Sequence, residues 1–158
     1  MDERTNVMRK LDQMKIKYTP HSYADTDAVS GVEVAQVLGQ DPDHVFKTLV
    51  TVSRSKKYYV FVIPVAKELD LKKAAAAVGE KSIEMIKSKD LLPTTGYIHG
   101  GCSPIGMKKA FVTTLHQTAK DFDTIVFSAG KIGYQVEMPL TELKKVIRFE
   151  LGDIIKDE

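Results

Sequence analysis

The stretch Leu49-Val-Thr-Val-Ser-Arg-Ser-Lys-Lys-Tyr-Tyr-Val-Phe-Val-Ile-Pro64 decides the fold class. Its two β-branched and aromatic runs, residues 49–53 and 58–64, flank the polar tetrad Arg54-Ser55-Lys56-Lys57, which is the pattern of a β-hairpin. The second run is apolar almost throughout, so it is expected at the centre of a sheet with both faces covered. Downstream, Asp70 caps a helix over residues 71–78 that Gly79 stops, and Ser82 is expected to cap a short helix through Ile83, Met85 and Ile86.

Upstream, Thr5-Asn6 caps an amphipathic helix carrying Val7, Met8, Leu11 and Met14, and an extended run covers residues 18–23. Ser30 and Glu33 have capping-box spacing ahead of Val34, Val37 and Leu38, and Gly39 supplies the stop. Asp41-Pro42 predicts a further short helix delivering Val45, Phe46 and Lys47 to the hairpin. After the glycine-rich segment that begins at Gly96, residues 111–115, 124–128 and 134–138 read as strands, and Thr141 is expected to cap a last helix through Leu143, Val146 and Ile147. Helices and strands alternate irregularly around a hairpin. The expected fold is therefore α/β (α+β), a single domain over residues 1–158 with a mixed central sheet covered by helices.

At 158 residues, 43% apolar and 28% charged, the chain has the makeup of a globular domain, one that buries roughly 70% of its unfolded surface. Residues 1–10 lack the apolar segment of a secretory signal and no run approaches a membrane span, so a soluble cytoplasmic protein is expected. Cys102 is the only cysteine, which excludes an intramolecular disulfide and a multi-cysteine zinc site. A formal charge of +2 is too small to hold nucleic acid by bulk charge. The pairs Lys56-Lys57, Lys72-Lys73, Lys108-Lys109 and Lys144-Lys145 read first as solvated faces, with a phosphate track as the competing reading.

His21, His44, His99 and His116 show no metal-ligand spacing, and no GxSxG, GxGxxG or Walker A pattern occurs, so neither metal nor cofactor is expected. Two segments stand out on physical grounds. Lys47 lies between apolar residues in Val45-Phe46-Lys47-Thr48-Leu49, either snorkelling from a half-exposed strand or fixed in a cleft to stabilise negative charge on a carbonyl, carboxylate or phosphate oxygen. Gly100-Gly101-Cys102-Ser103-Pro104-Ile105-Gly106 is either a tight connection or a loop whose backbone N–H groups face an oxyanion. Residues 128–133, Ser-Ala-Gly-Lys-Ile-Gly, have similar small-residue character and read as a hairpin turn.

At these residues the sequence resembles the YbaK-type trans-acting aminoacyl-tRNA editing domains, which are related to the editing insertion of bacterial prolyl-tRNA synthetases. The resemblance is carried by HSY at 21–23, LGQDPDHVFKTL at 38–49, PVAKELDLKKAA at 64–75, TGYIHGGCSPIGMKK at 95–109 and SAGKIGYQVEM at 128–138. These ordered blocks span nearly the whole chain.

The resemblance implies a mixed, strongly curved sheet and a pocket for the aminoacyl end of a mischarged tRNA. The implied reaction is deacylation, with Cys-tRNA(Pro) the best-known substrate and the cysteine's own thiol attacking its ester. On this account Lys47 holds the 3′ end and the reacting ester, and the Gly100-Gly101 backbone faces the carbonyl. Tyr23, Thr48 and Ser128 fall at matching pocket positions, and Ser103, Pro104 and Gly130 are carried over as substrate-binding. Ser30 and Gln135 are carried over too, although they replace an aromatic and an acidic residue of the family pattern and so bear on specificity. Cys102 is not expected to be the nucleophile. Expected partners are aminoacyl-tRNA and, in a transient complex, prolyl-tRNA synthetase, with the chain a monomer or weak homodimer. The competing class is a non-catalytic nucleotide- or RNA-binding module that keeps the editing fold.

Overall fold

The computed structural model describes residues 4–157. Helix α1 (Asn6–Gln13) is capped by Thr5, whose hydroxyl accepts from the Met8 amide, and it buries Val7, Met8 and Leu11. Strand β1 (Thr19–Ser22) leads to α2 (Gly31–Val37), where the Ser30/Glu33 capping box is complete. The hairpin forms as expected from β2 (Phe46–Ser53) and β3 (Tyr58–Pro64), antiparallel with Val50 opposite Val60. Helix α3 (Leu71–Val78) starts at Asp70 and ends at Gly79, whose φ of 76° is the left-handed conformation glycine adopts without a Cβ clash.

Three expected helices are corrected. Residues 83–86 do not form a helix capped by Ser82: Ile83–Met85 is a short strand, β4, that pairs antiparallel with the outer edge of β2. The open hydrogen-bonding edge of β2 outweighs a local helix signal. Asp41-Pro42 begins only a turn, in which the Asp41 carboxylate accepts from the Asp43 amide at 2.9 Å. Beyond it the chain is drawn into pairing with β3, so Lys47 stands within β2 rather than at a helix end. The last helix, α5 below, is one turn, starts after Pro139 rather than Thr141, and stops before Val146.

The remaining elements are α4 (Ser88–Thr95), which contains Pro93, β5 (Val112–His116), a 3₁₀ turn (Gln117–Asp121), β6 (Ile125–Ser128), β7 (Tyr134–Met138), α5 (Leu140–Leu143) and β8 (Glu150–Gly152). Neither α4, the 3₁₀ turn nor β8 was expected. The strands form a mixed five-stranded sheet in the order β4-β2-β3-β5-β8 and an antiparallel three-stranded sheet in the order β1-β7-β6. The mixed α/β class is as expected, with the strands divided between two sheets.

β3 explains itself physically. Val60 and Val62 point into a core shared with Leu11, Leu115, Phe127 and Val136, while Tyr59, Phe61 and Ile63 point into a second core under α3 with Ala74, Ala75 and Ile154. Both faces are buried, so the strand shows no polar alternation. Each fully buried side chain of this size contributes about 1.5–3 kcal/mol. The two sheets meet at Val45, which bridges to Val126 and whose carbonyl accepts from the Val65 amide at 2.9 Å. Lys47 follows two residues later, so the junction of the sheets sets its position.

Candidate active site

A cavity of about 470 Å³ opens beside this junction. That volume suits a small organic group. Phe46, Lys47, Thr48, Leu49 and Val50 of β2 form one wall. Ser30, Gly31 and Val34 come from the start of α2, while Met85, Ile86, Ser88 and Leu91 come from β4 and α4. Tyr23, Ser128 and Gln135 line it from the three-stranded sheet and its loops, and His99, Gly100 and Cys102 from the glycine-rich segment. Gly31 allows α2 to sit this close, because a Cβ there would stand 2.5 Å from Val65 Cγ1.

Among the described residues Lys47 is the only lysine or arginine in the lining, and no aspartate or glutamate lines the cavity. Burial pushes the Lys47 ammonium below the ordinary lysine pKa, and the Glu68 carboxylate opposes that shift from outside the lining. Thr48 Oγ1 is buried and has no hydrogen-bond partner among the described residues. An orphan hydroxyl in a cavity wall costs about 1–3 kcal/mol until something bonds to it, so it is a ready contact for a ligand. Ser30 Oγ accepts from the Glu33 amide at 3.2 Å, which leaves its proton free to be donated.

The structure therefore gathers Tyr23, Ser30, Lys47, Thr48, Gly100, Ser128 and Gln135 around one cavity. Four other expected residues support the walls instead. The Gly101 amide donates to the Ile98 carbonyl at 3.0 Å, so it is not available to an oxyanion in this arrangement, and a Cβ on Gly101 would stand 3.2 Å from the Ile132 backbone nitrogen. Gly100, at φ 88°, is the member of the pair that reaches the cavity. Ser103 is fully buried and its hydroxyl accepts from the Ile105 amide at 3.3 Å, while the buried Pro104 stiffens the same loop. Gly130 leaves no room for a Cβ, which would stand 3.0 Å from Tyr97 and Val7, and it donates its amide to Ser128 Oγ at 3.1 Å, which orients that hydroxyl.

Sequence reasoning missed Val29, Gly31, Met85, Ser88 and Leu91. Met85 and Ser88 were hidden because residues 83–86 read as a helix that does not form. His21 does not line the cavity: its Nε2 bonds to Glu137 Oε1 at 2.7 Å. Among the described residues no group of three His, Cys, Asp or Glu is placed to hold a metal ion.

Cys102 lines the cavity, but burial pushes its thiol up to about 12. At neutral pH it stays protonated and a poor nucleophile. Cys102→Ser is expected to keep turnover within about tenfold of the parent, and a loss beyond about a hundredfold in a folded serine variant would return this thiol to the chemistry.

The profile of the aminoacyl-tRNA editing domain matches residues 25–146. The chain belongs to the aminoacyl-tRNA editing domain family. It is 44% identical over 157 residues, 99% of this chain and 96% of the relative, to EbsC of Enterococcus faecalis, a proposed Cys-tRNA(Pro)/Cys-tRNA(Cys) deacylase. Two solved structures share the fold. One is of a proposed trans-editing enzyme for prolyl-tRNA synthetase, with a TM-score of 0.82 at 20% identity, covering 98% of this chain and 100% of that one. The other is of a protein described only as hypothetical, with a TM-score of 0.84 at 18% identity, covering 96% and 100%. Among the described residues of this editing-domain chain, no helix is long and apolar enough to cross a membrane.

Proposed function

We propose that this chain is an aminoacyl-tRNA deacylase that acts in trans on tRNA mischarged with cysteine, Cys-tRNA(Pro) or Cys-tRNA(Cys), and that the substrate's own thiol is the nucleophile. The observation that carries the reading is the cavity lining, which among the described residues offers one cation, an orphan hydroxyl and no carboxylate. Such a wall can position an ester and stabilise an oxyanion, but among its residues only His99 offers a conventional base. The 44% identity to EbsC supports the same substrate class.

In this mechanism the cysteine sulfur attacks its own carbonyl carbon. The thiol gives up its proton to water before attack, the ester C–O bond breaks, the ribose oxygen takes a proton from water as it leaves, and a cyclic thiolactone is released with free tRNA; water then opens the thiolactone to cysteine. The enzyme contributes orientation, because an intramolecular attack already has a high effective molarity. Lys47 stabilises the charge that develops on the carbonyl oxygen and holds the 3′ end, in a wall to which Thr48 and Gly100 also contribute. The whole chain acts as one editing unit, as a monomer or weak homodimer, and receives its substrate from a transient complex with prolyl-tRNA synthetase.

A deacylation screen of the purified protein against cysteinyl-, alanyl- and prolyl-tRNA tests the reading. Rapid clearance of the cysteinyl ester alone is expected, and a chain that binds tRNA but clears none of the three is a binding module instead.

Specificity has its own test. Gln135 is buried in the cavity wall, and its Oε1 accepts from Gln40 Nε2 at 2.9 Å, which turns the amide so that its NH₂ is left for the cavity. Gln40→Leu removes that orientation without substituting a residue of the lining. It is expected to raise KM about fivefold, the worth of one hydrogen bond of about 1 kcal/mol, with kcat little changed. An unchanged KM would show that Gln135 needs no such partner.

A further inference from the structure

β2 carries Lys47 near one end and the turn Arg54-Ser55-Lys56-Lys57 at the other, and all four turn residues are exposed. The turn is held rigidly. The Ser53 amide donates to the Lys57 carbonyl at 2.9 Å, the Lys56 amide to the Ser53 carbonyl at 3.0 Å, and the Lys57 amide to Ser53 Oγ at 3.2 Å. Lys56 occupies φ 66°, a left-handed conformation that disfavours a side chain and suits glycine. Among the described residues, no carboxylate forms an ion pair with Arg54, Lys56 or Lys57.

β4 extends this feature. Ile83 pairs with Ser53, so the exposed Lys81 leaves the sheet beside the turn. At the opposite end the Ile86 amide donates to the Val50 carbonyl at 3.0 Å, and Met85, Ile86 and Ser88 enter the cavity wall. One ribbon thus joins a backbone-fixed turn that bears exposed cations to the cavity. Glu84, at the register of Val52, is its exposed acidic residue.

We propose that the β2–β3 turn, Arg54, Lys56 and Lys57 with Lys81 beside it, is a second RNA contact that grips backbone phosphates of the tRNA acceptor stem while the 3′ end occupies the cavity. The proposal rests on the deacylase reading for the position of that 3′ end. Seven residues of strand separate Lys47 from Arg54, about 23 Å at about 3.3 Å per residue. At about 3.4 Å per stacked nucleotide this spans about seven nucleotides, which reaches past the unpaired terminus into the stem. The turn has no exposed apolar anchor of the kind a protein interface is built around, and no amphipathic face for a lipid surface. Cations without stacking aromatics fit a backbone contact that is indifferent to sequence.

The test titrates uncharged tRNA by fluorescence anisotropy across a salt series. Three proteins are compared: the parent, Arg54→Ser/Lys56→Gly/Lys57→Ser, and the equal-charge control Lys10→Ser/Lys17→Ser/Lys120→Ser. The turn variant is expected to bind about tenfold more weakly, with the slope of log K against log salt reduced by about two, while the control keeps both near the parent values. Its melting temperature is not lowered, because Lys56→Gly suits the left-handed conformation. In parallel, KM for cysteinyl-tRNA should rise while turnover of the 3′-cysteinyl ester of adenosine, too short to reach the turn, stays unchanged. Unchanged tRNA binding, an equal loss in the control, or an equal loss on the short ester would each overturn the contact. A protein that turns over neither ester yet loses tRNA affinity only in the turn variant keeps the contact and loses the deacylase reading.

Discussion

Lys47→Ala is expected to lower deacylation of cysteinyl-tRNA by about a hundredfold to a thousandfold, the effect of deleting one group that stabilises an oxyanion. Stability should change little, because the lysine is only partly buried and no cavity opens in either core. Lys47→Arg should also be poor, since a planar fork does not replace a compact ammonium at one oxygen. The pH profile gives an independent reading. The pKa of Lys47 lies below 10.5 because burial disfavours its charged form, so the ammonium is lost, and activity with it, at a lower pH than for an exposed lysine. Steady-state rates of folded variants from pH 6 upward check both points, and full activity of Lys47→Ala would remove this residue from the mechanism.

The second large effect concerns the substrate. With the same tRNA, cysteinyl ester is expected to be cleared about a hundredfold or more faster than seryl ester, because a hydroxyl is far less nucleophilic than a thiol that is partly ionised near neutral pH. The cysteinyl rate should rise toward the thiol pKa of about 8.5 and fall again as Lys47 loses its proton, whereas the seryl rate lacks the rising limb. Single-turnover rates on the two esters decide this. Equal rates would mean activated water, and His99 beside Gly100 in the cavity wall would then be the first group to test.

Elements with local signals were legible in the sequence. The Ser30/Glu33 capping box, the Asp70 and Gly79 ends of α3 and the β2–β3 hairpin are written in side-chain-to-backbone hydrogen bonds and β-branched runs, which act over a few residues. β4 and β8 were not legible, because three-residue strands exist only through their pairing with β2 and β5. α4, which contains Pro93 in its second turn, carries no side-chain cap at its start, so no local signal marks where it begins. At the site, the resemblance led to Lys47, Thr48, Gly100 and Ser128, but residues that make the wall by packing, such as Gly31, Met85 and Leu91, carry no chemical signature. The difference between Gly100 and Gly101 lies in one hydrogen bond to Ile98, which no sequence pattern announces.

The central claim, attack by the substrate's thiol in a cavity that supplies charge and orientation, is tested most directly by rapid-quench product analysis in a single turnover of cysteinyl-tRNA. The account predicts cysteine thiolactone appearing with free tRNA and ahead of free cysteine, its formation slowed in Lys47→Ala in step with the rate. Free cysteine accumulating from the first time point with no thiolactone, while a control shows that added thiolactone survives the quench, would contradict it.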